Sequence, residues 1–138
     1  MSVRYALGIV VGLDAEDAKD AKGKSVLDRY REGDLPYIQD DSDGSTEAFE
    51  EWWATEAHAL GGADALEVFG AGSAQHTGVG RVIIGSELAR VNYEPRESSY
   101  AGPVRRADLA KTAEEVQEAL KSLGITTEPR IYLRNNVA

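Results

Sequence analysis

Apolar residues along the chain fall into short runs that are separated by longer polar stretches. The first run, Val3–Leu13, is rich in β-branched residues without alternation, which predicts a strand covered on both faces. In Thr46–Leu60 the apolar positions recur at helical spacing, and Ser45 can cap the first turn, so this stretch predicts a helix. The apolar face of that helix consists of Phe49, Trp52, Trp53, Ala57 and Leu60.

Two further strands are predicted in the middle of the chain. Ala65–Phe69 is one of them, and Arg81–Ile84 is the other; continuation of the latter through Gly85 into Ala89–Tyr93, as a bent or bulged strand, is an open alternative. Between them, Gly70–Gly80 is rich in glycine, which favours a flexible loop.

The last part of the chain predicts a helix followed by a strand. Thr112 and Glu115 form a capping box that marks the start of the helix, and Gly124 marks its end. Beyond it, Arg130–Leu133 predicts a strand with Ile131 and Leu133 on one face and with Arg130 and Tyr132 on the other.

In chain order the predicted elements run strand, helix, strand, strand, helix, strand. This βαββαβ order is that of a ferredoxin-like fold, an α+β two-layer sandwich with an antiparallel sheet and both helices on one face. We expect a single domain over residues 1–138, with an acidic insertion or surface excursion over residues 14–45 after the first strand. A short helix is predicted inside that segment, around Lys24–Arg31. Edge-to-edge pairing into a homodimer is compatible with such a sheet.

Composition narrows the classes of function. The chain has no cysteine, which excludes disulfides, thiolate metal sites and cysteine nucleophiles and fits a reducing compartment. The apolar run Tyr5–Leu13 is far shorter than the roughly 20 residues that span a bilayer. We therefore predict a cytoplasmic protein that does not enter a membrane.

Charge is divided unevenly between the two halves of the chain. Residues 1–67 hold sixteen of the 24 acidic residues and six of the 15 basic ones, whereas residues 68–138 are nearly neutral. A net charge of −9 concentrated in this way repels nucleic acid and attracts a cation or a basic partner.

The acidic turn before the predicted helix offers one candidate site. In the register of a calcium-binding EF-hand loop, Asp41, Asp43 and Glu50 fall at liganding positions and Gly44 falls at the sharp turn. Gln39, however, stands at the first position, where the motif requires aspartate. An exposed turn followed by a capped helix accounts for these residues without a metal, so calcium binding is an alternative.

The glycine-rich loop offers a second candidate site. It follows a strand, as a dinucleotide-binding loop does, but a strand rather than a helix comes next, which excludes that motif. Ser73 and His76 are of the types that act as nucleophile and base, although the sequence supplies no acid to orient the histidine. A small-molecule pocket or an active site under residues 70–80 is therefore an alternative.

These features together favour a small binding or regulatory module without catalysis and without a cofactor. A basic protein partner would be steered by acidic residues and held by aromatic ones. The residues predicted to contact the partner are Asp40, Asp41, Asp43, Glu47, Trp52 and Trp53.

Overall fold

A computed structural model describes residues 5–33, 45–59, 66–73, 80–93 and 103–137. Its elements are strand β1 (Tyr5–Asp14), helices α1 (Val26–Glu32) and α2 (Ser45–Ala59), strands β2 (Glu67–Ser73) and β3 (Gly80–Tyr93), helix α3 (Arg106–Ser122) and strand β4 (Arg130–Val137). These elements form an α+β fold with one four-stranded antiparallel sheet, which confirms the predicted class. The elements run βααββαβ rather than βαββαβ, because the short helix predicted around Lys24–Arg31 in the acidic segment forms as α1.

The sheet has the strand order β2-β3-β1-β4. Strand β1 lies inside it and pairs antiparallel with both β3 and β4. Val10 and Val11, which point to opposite faces, are both buried. The apolar run therefore forms a strand covered on both faces, as its lack of alternation predicted.

The main core lies between one face of the sheet and the three helices. Because directly opposite residues of antiparallel strands share a face, Leu13 of β1 and Ile84 of β3 both point toward the helices. The other large buried side chains of this core are Val11, Val26, Leu27, Tyr30, Phe49, Trp53, Leu66, Val82, Val116, Leu120, Leu123 and Ile125.

The first part of the acidic segment packs on the domain. Ala15 and Ala18 are buried, and the Ala15 amide donates to the Val82 carbonyl at 2.8 Å. Farther along, Asp20 forms a β-bridge with Ile125, so the segment is joined to the turn after α3. Residues 15–33 therefore contribute to the core, while residues 34–44 lie outside the described part of the chain.

Helix α1 begins at a capping box. The Asp28 amide donates to the Ser25 hydroxyl at 3.0 Å, and the Ser25 amide donates to the Asp28 carboxylate at 3.1 Å. The Ser25 amide thereby lowers the pKa of the Asp28 carboxyl. These two bonds give acceptors to the Ser25 and Asp28 amides, which have no partner within the helix because they lie at its start.

The predicted end of α3 is confirmed, and its predicted start is wrong. The Ile125 amide donates to the Leu120 carbonyl at 2.9 Å while Gly124 takes a φ of 80°, which is a Schellman ending. The helix begins at Arg106, before the supposed capping residue Thr112. Leu109 extends the apolar stripe by one turn toward the N-terminus, and its contact with the core stabilises that turn.

Strand β2 continues through residues that were expected to form a loop. Gly70 pairs with Val82, and Ala71 pairs with Arg81, so residues 70–73 belong to the sheet. The prediction of a loop is therefore wrong for this part, because the ladder with β3 outweighs the low strand propensity of glycine. Residues 74–79 of the predicted loop lie outside the described residues.

The face of the sheet opposite the helices is concave. The edge strands β2 and β4 contact each other, and the Arg134 Nε of β4 donates to the Gly70 carbonyl of β2 at 2.6 Å. This curl encloses a second, smaller core on the face that the helices do not cover. Its members are Val10, Phe69, Ile83 and Tyr132.

Gly12 and Gly85 permit the close approach of β1 and β3. The two residues are directly opposite each other, and a Cβ on Gly12 would lie 2.1 Å from the Ile84 carbonyl oxygen. A Cβ on Gly85 would lie equally close to the Val11 carbonyl oxygen. No side chain fits at either position without moving a backbone.

Candidate functional site

The predicted partner-binding residues are only partly within the described structure. Asp40, Asp41 and Asp43 lie outside it, and Glu47 is in the first turn of α2 with its side chain outside the described set. On the same helix Trp53 is a core residue with 5% of its surface exposed, whereas Trp52 is half-buried. Trp52 is therefore the tryptophan with surface available to a partner.

An aromatic cluster holds Trp52 in place. Its ring centroid lies 5.3 Å from that of Tyr30 and 5.5 Å from that of Phe49. Tyr30 is buried, and this burial raises the pKa of its phenol. Helices α1 and α2 thus contact each other through aromatic rings. The apolar face of α2 does not by itself predict this contact.

Part of the acidic charge is matched inside the domain. Asp20 accepts hydrogen bonds from the Lys22 and Lys24 amides, and Arg29 donates to it at 3.1 Å. The Lys24 amide, followed by the Arg29 side chain, lowers the pKa of the Asp20 carboxyl. The Asp17 carboxylate pairs with Arg130 of β4 at 3.1 Å. These carboxylates therefore organise the chain as well as adding to its negative charge.

Three apolar side chains on β1 and β4 are exposed. Leu7, Ile131 and Leu133 retain 42%, 56% and 75% of their surface. Ile131 is opposite Val11, and Leu133 is opposite Ile9, so both lie on the face that the helices occupy. We call these three side chains the apolar strip. Helix α3 packs on β1 and β3, and the strip lies beside it.

The sequence predicted the two faces of β4 and could not tell which of them is covered. Ile131 and Leu133 share a face as the alternation indicated, yet they are exposed, while Tyr132 on the other face packs into the small core. The Tyr132 hydroxyl also accepts a hydrogen bond from the Asp14 amide at 3.1 Å. Which face of β4 is covered depends on the curl of the sheet and on the position of α3. The alternation of apolar and polar residues in β4 encodes neither of these.

A bulge in β3 brings charged side chains together on the concave face. Ile9 pairs with Ala89 and Val10 pairs with Glu87, so Leu88 is an extra residue. Because of this extra residue, Glu87 and Arg90 lie on the same face, and their side chains form an ion pair at 3.1 Å.

The residues of the alternative sites lie only partly within the described structure. Ser73 is the last residue of β2, and His76 lies outside the described residues. Glu50 is exposed on α2, whereas Asp41 and Asp43, its supposed partners in calcium binding, are outside the described part. Among the described side chains, no group of three or more histidine, aspartate and glutamate residues is arranged to hold a metal ion.

Comparisons with known proteins do not assign the chain. No family model, curated protein or solved structure matches it. None of the described helices has the length and apolar character needed to cross a membrane. Function must therefore be inferred from the surfaces and side chains of the molecule itself.

Proposed function

We propose that the chain is a small non-catalytic binding module that engages a protein partner of basic character. The apolar strip on β1 and β4 holds the partner, and the acidic residues of the first half of the chain attract it. The exposure of the strip is the observation that carries this proposal, because the described part of the domain has an ordinary buried core and leaves these three side chains in water.

The strip is large enough to contribute substantially to binding. From their exposed fractions, its side chains present roughly 300 Å² of apolar surface, the size of the largest patch on a typical monomer. Removing that area from water yields about 7 kcal/mol. Association itself costs about 4–15 kcal/mol, so the strip needs further contacts to give a stable complex.

Acidic residues of α2 are suited to speed the encounter with a basic partner. Glu50 and Glu51 are exposed on α2, and Glu56 lies one helical turn from the half-buried ring of Trp52. Negative charge around a partly exposed tryptophan favours a partner with lysine or arginine side chains. Asp40, Asp41 and Asp43, which lie outside the described residues, would add to the same attraction.

The pKa shifts of three described groups have structural causes. The pKa values of Asp20 and Asp28 are lowered by hydrogen bonds within a turn and a helix cap, and that of Tyr30 is raised by burial in the core. Each shift thus has a cause in the local fold. Catalytic acids and bases instead have perturbed pKa values within a cleft.

We further infer a ferredoxin-like architecture with α1 as an addition to the first connection. Each connection that contains helices, β1 to β2 and β3 to β4, joins two strands that flank a third strand in the sheet. This split βαβ arrangement, repeated once, generates the ferredoxin-like sheet. Edge-to-edge pairing of two copies remains compatible with that sheet.

Substitutions in the strip test the proposal. Wild-type protein and the double variant I131S/L133S are immobilised, and proteins captured from an extract of the source cells at low and high salt are compared. We expect a captured protein that the double variant loses, because serine removes the apolar area without touching the buried core. V104S, which changes a 37%-exposed valine before α3, is the matched control and should retain the captured protein.

A second arm tests the electrostatic part. D40N/D41N/D43N should weaken capture at low salt and have less effect at high salt, where the attraction is screened. Equal capture by wild type and I131S/L133S, or capture that ignores both salt and the three neutralised aspartates, would contradict the proposal.

A further inference from the structure

The outer edge of β4 has no backbone partner among the described residues. Strand β4 lies at one end of the sheet and pairs with β1 on one side only. In an antiparallel pair, alternate residues direct their backbone groups toward the neighbouring strand, and the residues between them direct theirs away from it. The Arg134 side chain reaches across to β2, but no backbone hydrogen bond between described residues joins β4 to β2. Every second residue of β4 therefore offers an N–H donor and a C=O acceptor to a further strand.

Two exposed apolar side chains lie beside this edge. Ile131 and Leu133 of the apolar strip occupy alternate positions of β4 on the face that the helices occupy, and they retain 56% and 75% of their surface. A strand added next to β4 would place its own side chains directly opposite both of them, on the same face. A helix packed on this face would cover the two side chains and leave the backbone groups of the edge unpaired. The edge and the strip together therefore favour an extended segment as the occupant.

The two edges of the sheet differ in how readily they can pair. The register of β2 with β3 is irregular between Ala71 and Ser73, and Gly70 lies next to this irregularity. Irregular register and glycine both discourage the pairing of an edge with another chain. The register of β4 with β1 is unbroken over residues 130–137, and β4 contains neither glycine nor proline. Of the two edges, β4 is therefore the one suited to accept a strand.

The side chains of β4 disfavour a second copy of the chain as that strand. In an antiparallel pair of two β4 strands, one register sets Ile131 opposite Leu133 of the other copy. That register also sets Arg130 opposite Arg134 of the other copy, and like charges directly opposite each other are destabilising. Sliding the pair by two residues leaves one of the apolar side chains opposite an asparagine or a proline. Self-pairing would also join two chains that each have a net charge of −9.

We propose that the partner protein docks as an extended strand on the outer edge of β4 and lengthens the sheet to five strands. This inference rests on the proposed function, since it specifies how the apolar strip holds the partner. Backbone hydrogen bonds along the edge give affinity, and side chains at alternate positions give specificity. The docking segment has apolar side chains opposite Ile131 and Leu133, and it has uncharged or acidic ones opposite Arg130 and Arg134. The basic residues of the partner lie outside this segment.

A capped nine-residue peptide, KKTVTVTKK, is the probe. Its two valines alternate with threonine, so they share one face of an extended strand, and the flanking lysines supply basic character and solubility. The control peptide KKTTVVTKK has the same composition with adjacent valines, which point to opposite faces. Each peptide is titrated into wild-type protein while backbone amide NMR signals are recorded. We expect saturable shifts centred on residues 130–134 with KKTVTVTKK, and binding of the control that is weaker by about tenfold, since one valine contact is lost.

Hydrogen exchange of the β4 amides separates pairing at the edge from packing on the face. In the free protein, the amides that face β1 should exchange slowly and those of the residues between them should exchange fast. Peptide at ten times its Kd occupies about 90% of the protein, so the fast amides of residues 130–134 should slow by about tenfold. Peptide binding that leaves those amides fast would overturn strand pairing, because a ligand on the face alone contacts only side chains.

Variants test the side-chain part of the proposal. I131S/L133S should weaken binding of KKTVTVTKK by about tenfold or more, since two apolar contacts are lost. V104S, which changes the exposed valine before α3, is the matched control and should leave the affinity unchanged. Circular dichroism establishes that both variants are folded. Equal affinities of wild type and I131S/L133S, equal binding of the two peptides, or no saturable shifts with KKTVTVTKK would contradict docking on β4.

Three outcomes distinguish this proposal from its alternatives. A dimer of the free protein in sedimentation, with the alternate β4 amides already slow, would show that a second copy occupies the edge and would overturn the proposal. Capture of a protein that I131S/L133S loses, combined with β4 amides that stay fast in the peptide complex, would refute the docked strand and leave the proposed function standing. Amides that slow with the peptide, while the extract yields no captured protein, would contradict the proposed function and leave β4 as an edge that accepts a strand.

Discussion

Substitution of Gly12 by alanine tests the close contact between β1 and β3. The new Cβ would meet the Ile84 carbonyl oxygen at 2.1 Å and the Gly85 Cα at 2.8 Å. These are backbone atoms of a paired central strand, so they cannot rotate away as a side chain can. The two strands would have to separate by about 1 Å at a point where residues of both cores are close by, on opposite faces of the sheet.

Gly8→Ala is the matched control, because it lies on the same strand and on the same face. Its Cβ would meet the flexible end of Glu87 at 3.2 Å and a carbonyl oxygen at 3.4 Å, which a small side-chain movement relieves. Replacing a strand glycine by alanine otherwise stabilises by roughly 0.5–1 kcal/mol. We therefore expect G8A to remain within about 1 kcal/mol of wild type, and G12A to lose about 3 kcal/mol or more.

Urea unfolding followed by tryptophan fluorescence and circular dichroism measures the difference. For a chain of this length, a loss of about 3 kcal/mol corresponds to a fall in Tm of roughly 10 °C. G85A should resemble G12A, since its Cβ would lie 2.1 Å from the Val11 carbonyl oxygen. Equal free energies of unfolding for G8A and G12A would refute the reasoning that backbone contact, rather than glycine content, governs this region.

Two further predictions concern pH and fluorescence. The pKa of Asp20 is below its ordinary value of 3.8, so its stabilising effect is complete above that value and is lost as the pH falls through the lower folded value. The difference in urea midpoint between wild type and D20N should therefore be largest at neutral pH and vanish in strong acid; a constant difference would contradict this. W53F, which leaves the half-buried Trp52, should emit at longer wavelength and be quenched more by acrylamide than W52F, which leaves the buried Trp53. Equal emission maxima would contradict the assigned burial.

Much of the secondary structure could be predicted because its signals are local. The β-branched run of β1, the aromatic stripe of α2 and the stop at Gly124 each depend on residues within a few positions of one another. The start of α3 was misplaced because its first turn has no side-chain cap at Arg105 and is stabilised by the contact of Leu109 with the core. A capping pattern contains no information about such a contact with the core.

The candidate sites could not be predicted because they depend on pairing between distant residues. Arg134 reaches Gly70 across 64 positions of sequence, and β4 is an edge strand only in the observed strand order. The bulge at Leu88, which places Glu87 beside Arg90, is likewise a property of two paired strands. Composition indicated the charge of the chain, whereas the pairing determines which charges are neutralised.

The position of β1 next to β4 has a consequence for synthesis of the chain. Strand β1 leaves the ribosome before β4, with which one of its two edges pairs at residues 130–137. At about 5–20 residues per second, that edge waits for several seconds or longer before its neighbour arrives. During this interval Val10 and Val11 belong to a nascent strand without its full complement of partners. Chaperones that bind extended apolar segments would find their substrate there.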